Sequence, residues 1–171
     1  MSMTMERSER FEAIYRRHVD AVHAYARRRA PASLAEEVVA ETFLVCWRRL
    51  DRVPAEELPW LYGVARRTLA NLRRAERRRQ AGERPLRPEE AAPAVVDERL
   101  RDALAELGAR DRELLALVAW EGLSLAEAAV ALGCSHVACR VRFHRAKRRL
   151  AGLLDPDDGL LPRPETEGAG R

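Results

Sequence analysis

Two stretches of this 171-residue chain can do chemistry by charge alone. Residues 66–79 hold seven arginines and one acid, Glu76, and residues 140–149 hold six cations and no acid. Lys147 is the single lysine among 31 basic residues, and the rest are arginine. A guanidinium is a planar fork that pairs bidentately with phosphates and base edges, which an ammonium cannot do. Unbalanced cations at this density repel one another and call for a polyanionic partner. No GxxxxGKS/T, GxGxxG, HExxH or GxSxG pattern occurs, so no catalytic role is expected. Cys46, Cys134 and Cys139 fit neither a disulfide framework nor a CxxC metal pair. His18 and His23 have no second ligand at metal spacing. Metal and cofactor are both expected to be absent.

The elements that must present these cations read as helices throughout. Ala, Leu, Arg and Glu dominate, aromatic residues are 5% of the chain, and such a mix favours helix over strand. Phe11, Ile14, Tyr15, His18, Val19, Val22, Tyr25 and Ala26 recur at three and four residues and line one face of a first helix, which Pro31 ends. Ser33-Leu-Ala-Glu36 has the form of a capping box opening a second helix, continued by Val39, Phe43, Cys46, Trp47 and Leu50. Pro59 suits the start of a third, running from Trp60 to about Arg79. On its wheel Leu61, Val64, Ala65, Thr68, Leu72 and Ala75 share one sector, and Arg66, Arg67, Arg73, Arg74 and Arg77 form an arginine stripe on the opposite, solvent face.

A second helical unit follows. Helices are expected from about Glu98 to Leu107 and from Asp111, as N-cap, to Trp120, with Gly122 as the stop. In GLSLAEAAVALGCSHVACRVRFHRAKRRL a second capping box, Ser124 to Glu127, opens a short Ala-rich helix. Gly133 turns the chain and Ser135 caps the last helix, which is the helix-turn-helix arrangement. Cys139, Phe143, Ala146 and Leu150 form its buried seam, where the thiol serves as a small hydrophobe. Val137, Arg140, Val141 and His144 face outward, flanked by Arg142, Arg145, Lys147, Arg148 and Arg149. Such a helix can read bases with its outward residues and hold phosphates with the flanking cations.

The net charge of +4 hides this patterning: residues 1–80 carry +6, 81–97 −2, 98–154 +3 and 155–171 −3. The expected organisation is therefore all-α and bipartite. Residues 1–80 and 97–154 form two small helical domains on a string, 81–96, with Pro85, Pro88 and Pro93, a flexible linker, and 155–171 a disordered acidic tail. No apolar run approaches the roughly 18 residues of a membrane span, and MSMTMERSER lacks a signal-peptide core, so a cytoplasmic location without membrane insertion is expected.

The order and spacing of these segments resemble a known family. FEAIYRRHVDAVHAYARRRA, SLAEEVVAETFLVCWRRL and ELPWLYGVARRTLANLRRAERRR look like region 2 of bacterial sigma factors of the extracytoplasmic-function group. LRDALAELGARDRELLALVAWEGLSLAEAAVALGCSHVACRVRFHRAKRRL resembles their region 4. The resemblance implies a factor that binds core RNA polymerase, on its β′ clamp helices and β subunit, and directs it to promoters by reading two elements. Residue by residue it implies polymerase contact for Glu36, Glu37, Glu41, Thr42 and Trp47. It implies contact with the proximal promoter element for Trp60, Arg66, Arg67, Asn71, Arg73, Arg74 and Arg77, with the loop from Asp51 to Leu58 forming a pocket for a flipped base. For the distal element it implies Ser135, His136, Val137, Arg140, Val141, Arg142, His144, Arg145, Lys147 and Arg148. Group membership also implies an anti-sigma partner. Four positions depart from the family pattern: Ala40 stands where a glutamine is common, Arg67 where an asparagine is, Leu34 where an acid is, and Cys139 where a valine or threonine is usual. The alternative is a stand-alone helix-turn-helix regulator that binds a symmetric operator as a dimer.

Overall fold

The computed structural model describes residues 2–80 and 97–154. Both the 81–96 linker and the 155–171 tail proposed from sequence lie outside the described residues. Seven helices, α1 (Ser2–Arg27), α2 (Ala32–Arg48), α3 (Glu57–Gln80), α4 (Glu98–Ala105), α5 (Ala109–Ala119), α6 (Leu125–Leu132) and α7 (His136–Leu154), account for nearly all of these, with a 3-10 turn at Leu50–Arg52. No strand occurs among the described residues.

Most helix ends obey local chemistry. Asp97 caps α4 by accepting from the Arg99 N–H, and the Ser124–Glu127 capping box closes reciprocally at 2.8 and 3.2 Å. Gly133 ends α6 in the left-handed conformation, φ +67, which a residue without a Cβ adopts at little cost. Ser135 Oγ accepts from the Ala138 N–H and starts α7. Two expected caps fail for one reason, an early start. Helix α2 begins at Ala32 with Pro31 as N-cap, so Ser33 already lies within the first turn and its hydroxyl caps nothing. Helix α5 begins after Gly108, not Asp111, and Asp111 instead pairs with Arg142 at 3.8 Å.

The two helical units do not hang apart. One buried cluster joins Ile14, Tyr25, Val38, Leu61 and Tyr62 of the first with Leu114, Leu117, Ala128, Ala131 and Cys139 of the second. Helix α3 crosses α6 at Gly63, where an added Cβ would sit 3.1 Å from the Ala131 carbonyl oxygen; only glycine permits that approach without displacing α6. A smaller core of Leu104, Leu107, Leu115 and Ala146 holds α4, α5 and α7 together. Units of about 60 residues bury little surface alone, and sharing a core offsets that deficit.

Polar groups close the same seam. Tyr25 Oη donates to Glu113 at 2.8 Å, Arg29 Nε reaches Glu113 at 3.0 Å and Arg29 Nη1 reaches Glu121 at 2.8 Å. Arg28 pairs with the far carboxylate oxygen of Glu121. The Glu121 side chain is 1% exposed, so two guanidinium groups neutralise a buried anion there. Burial, reinforced by Glu113, pushes the Tyr25 hydroxyl well above its ordinary value; it stays a neutral donor.

Candidate nucleic-acid interface

Helix α7 presents its basic residues as its sequence pattern implies. Cys139 and Ala146 are buried, Phe143 and Leu150 half-buried. The opposite face is open: Val137 is 63% exposed and Val141 43%, and His136, Arg140, His144, Arg145, Lys147 and Arg148 are exposed with them. Two members are less free. Arg142 leans toward Asp111, and the Ser135 hydroxyl is occupied as the helix cap. Arg149 donates to the Glu106 carbonyl at 3.3 Å and ties the helix flank to the end of α4. Burial raises the Cys139 thiol above its ordinary value, with Cys134 beside it adding to the effect. A thiol held in its neutral form packs as a small hydrophobe.

Helix α3 does not expose its whole stripe. At about 100° per residue Tyr62, Leu69, Arg73 and Arg66 fall within about 60° of one another, and this sector faces the second unit and the end of α1. Tyr62 and Leu69 are buried. Arg66 Nε and Nη2 donate to the carbonyls of Ala131 and Leu132 at 3.4 and 3.3 Å. Arg73 donates to the Arg29 carbonyl. Both guanidiniums therefore satisfy carbonyls left unpaired at helix ends, where the helix dipole also favours a cation. Arg67, Arg74 and Arg77 remain exposed, with Arg74 bonded to Asn71 Oδ1 at 2.7 Å. Partial burial, with Arg66 and Arg49 nearby, holds the Arg67 guanidinium below its ordinary value, a sign of cation crowding. Trp60 is half-buried against the core.

The expected polymerase face on α2 divides in the same way. Glu36, Glu37 and Glu41 are exposed. Trp47 is 36% exposed, held by an edge contact to Phe11 at 5.3 Å and by Arg7 over its ring. Thr42 is a correction: it is fully buried, and its hydroxyl donates to the Val38 carbonyl at 2.6 Å. A β-branched threonine one turn along can bond back to its own helix in an apolar setting, and that bond removes Thr42 from any surface contact.

The network of Tyr25, Arg28, Arg29, Glu113 and Glu121 leaves no pattern in the sequence. Its nearest mark is the run Arg27 to Arg29 at and just past the end of α1, and the partners lie 84 to 93 residues away.

Comparison with known proteins fits this geometry. The sigma-70 region 2 family matches residues 14–79 and the sigma-70 region 4 family residues 97–150. The ECF RNA polymerase sigma factor SigL of Mycobacterium tuberculosis is 32% identical over 150 residues, covering 81% of this chain and 85% of SigL. The RNA polymerase sigma factor CarQ of Myxococcus xanthus is 33% identical over 154 residues, covering 84% of this chain and 88% of CarQ. The solved structure of CnrH in complex with the cytosolic domain of CnrY shares 30% identity with a TM-score of 0.59, covering 86% of this chain and 88% of CnrH.

Proposed function

Since the chain belongs to the extracytoplasmic-function group of the sigma-70 family, and so directs RNA polymerase in promoter-specific initiation, we propose how its two basic helices divide promoter reading. Helix α7 reads the distal element: Arg140 meets a guanine edge, Val137 and Val141 meet thymine methyls, and Arg145, Lys147 and Arg148 hold phosphates. Helix α3 reads the proximal element with Arg67, Asn71, Arg74 and Arg77. Arg66 and Arg73 join it only once the units part. Glu36, Glu37, Glu41 and Trp47 face the polymerase.

The observation that carries this division is the exposed face of α7 around Val137, Arg140 and Val141 set against the partly engaged stripe of α3. It also gives the core enzyme a task, which is to draw α3 and α6 apart and set the two readers at promoter spacing. Two linked weak contacts then act as one strong one, and the free chain binds promoter DNA weakly. Members of this family are initiation factors rather than enzymes. An anti-sigma partner, as membership of this group implies, would bind this chain and compete with polymerase. The chain would work in the cytoplasm, beside the polymerase it joins; no helix among the described residues is long and apolar enough to cross a membrane. The region 2 match runs through the N-terminal helices, which does not favour the dimeric-regulator alternative.

The test is reconstitution. Purified chain added to core polymerase is expected to give promoter-dependent run-off transcripts, while the chain alone protects no symmetric operator. Absence of any transcript across cloned candidate promoters, with tight binding of the free chain to a palindrome, would overturn the proposal.

A further inference from the structure

Between the two units lies a half-open cleft of about 540 Å³, walled by α1 and α3 on one side and by α4 and α5 on the other. Its volume falls within the roughly 300–1,000 Å³ of ordinary small-molecule sites. Seven arginines line it, from both units, against two acids, Asp102 and Glu113. Arg28 and Arg29 are held by Glu113 and Glu121, whereas Arg110 is exposed. The floor is apolar, with Leu69, Leu104, Ala116 and Leu132. Trp120 stands at the wall, 38% exposed.

We propose that this cleft binds a polyphosphorylated nucleotide. Phosphate oxygens would pair with Arg73 and Arg110, whose forked donors suit them. The base would lie against the Trp120 ring over the apolar floor. Because the arginines come from both units, the ligand binds the closed arrangement and stabilises it by mass action. The site is separate from the exposed face of α7, and its existence does not depend on what that face reads.

Isothermal titration of the full free chain with ATP and, separately, with inorganic tripolyphosphate tests the proposal. ATP is expected to bind one per chain with saturation below about 1 mM, and tripolyphosphate more weakly. Arg110→Glu, at an exposed position, is expected to weaken both at least about tenfold. Trp120→Ala should weaken ATP and leave tripolyphosphate unchanged. Equal affinity for the two probes, with no response to Trp120→Ala, overturns the nucleotide and leaves a polyphosphate site. No saturable binding of either probe, or an equal loss from Arg148→Glu on the distant α7 face, overturns the cleft as a site.

Discussion

Helices α3 and α7 carry nearly the same density of cations and meet different fates. On α7 the apolar residues occupy one narrow seam, and everything opposite Cys139 and Ala146 reaches solvent. On α3 a second apolar strip, Tyr62 and Leu69, lies beside the first; Tyr25 of α1 stacks on Tyr62, and α6 crosses the helix at Gly63 next to it. Arg66 and Arg73 border that strip and are drawn into carbonyls. A basic stripe is thus an available surface only where one helix face is buried. Where two faces are buried, the same residues hold the fold.

The largest expected effect breaks the packing that makes the two helices differ. Glu121→Ala leaves Arg28 and Arg29 beside a seam with no buried anion. Removing one partner of a buried pair costs about 3 kcal/mol. Urea unfolding of the free chain should show that loss, and small-angle scattering should show a larger radius as the units separate. An unchanged midpoint would deny that Glu121 holds the seam.

Next in size is Arg140→Ala, expected to lose about 1–3 kcal/mol of discrimination at one base pair of the distal element. Arg148→Ala should weaken binding evenly across sequences and lower the salt slope by about 1. Filter binding of the reconstituted polymerase across single-base promoter variants separates the two. Arg66→Ala sharpens the contrast from the other side. In the free chain it removes two bonds at the end of α6 and should cost about 1 kcal/mol, read as a lower melting temperature, whereas Arg67→Ala should leave melting unchanged.

The smallest effect is a dependence on pH. Tyr25 titrates well above its ordinary value of 10.0 because it is buried and bonded to Glu113. A group raised in the folded state adds stability that is whole below its unfolded value and is lost as pH rises through the folded one. Wild-type melting temperature should therefore fall faster than that of Tyr25→Phe as pH climbs past about 10. Parallel curves would show that the hydroxyl bond contributes nothing to the seam.

The fold was largely legible in the sequence because its signals are local. The Ser124–Glu127 box, the Gly133 turn, the Ser135 cap and the seam of α7 all depend on residues within a few positions of one another. Ser33 and Asp111 misled because a helix can begin a residue or two earlier than its best capping side chain when proline or glycine holds the extended N-cap geometry. The family resemblance places Thr42 on the polymerase face, yet its bond to Val38 lets it be buried. The engagement of Arg66 and Arg73 was illegible for a different reason. Amphipathic periodicity reports that a face is buried only if the face is wholly apolar, and this one mixes Tyr62 and Leu69 with the two arginines. Pairing across the units, as between Arg29 and Glu121, leaves no mark at helical spacing.

The most direct test of the division between the two helices is transcription by core polymerase reconstituted with wild-type chain or Arg140→Ala, on promoters with the distal element intact or scrambled. Scrambling should cut wild-type transcript about tenfold or more, and Arg140→Ala should give the low level on both templates. Equal fractional losses from Arg140→Ala on the intact and scrambled templates would contradict base reading by α7.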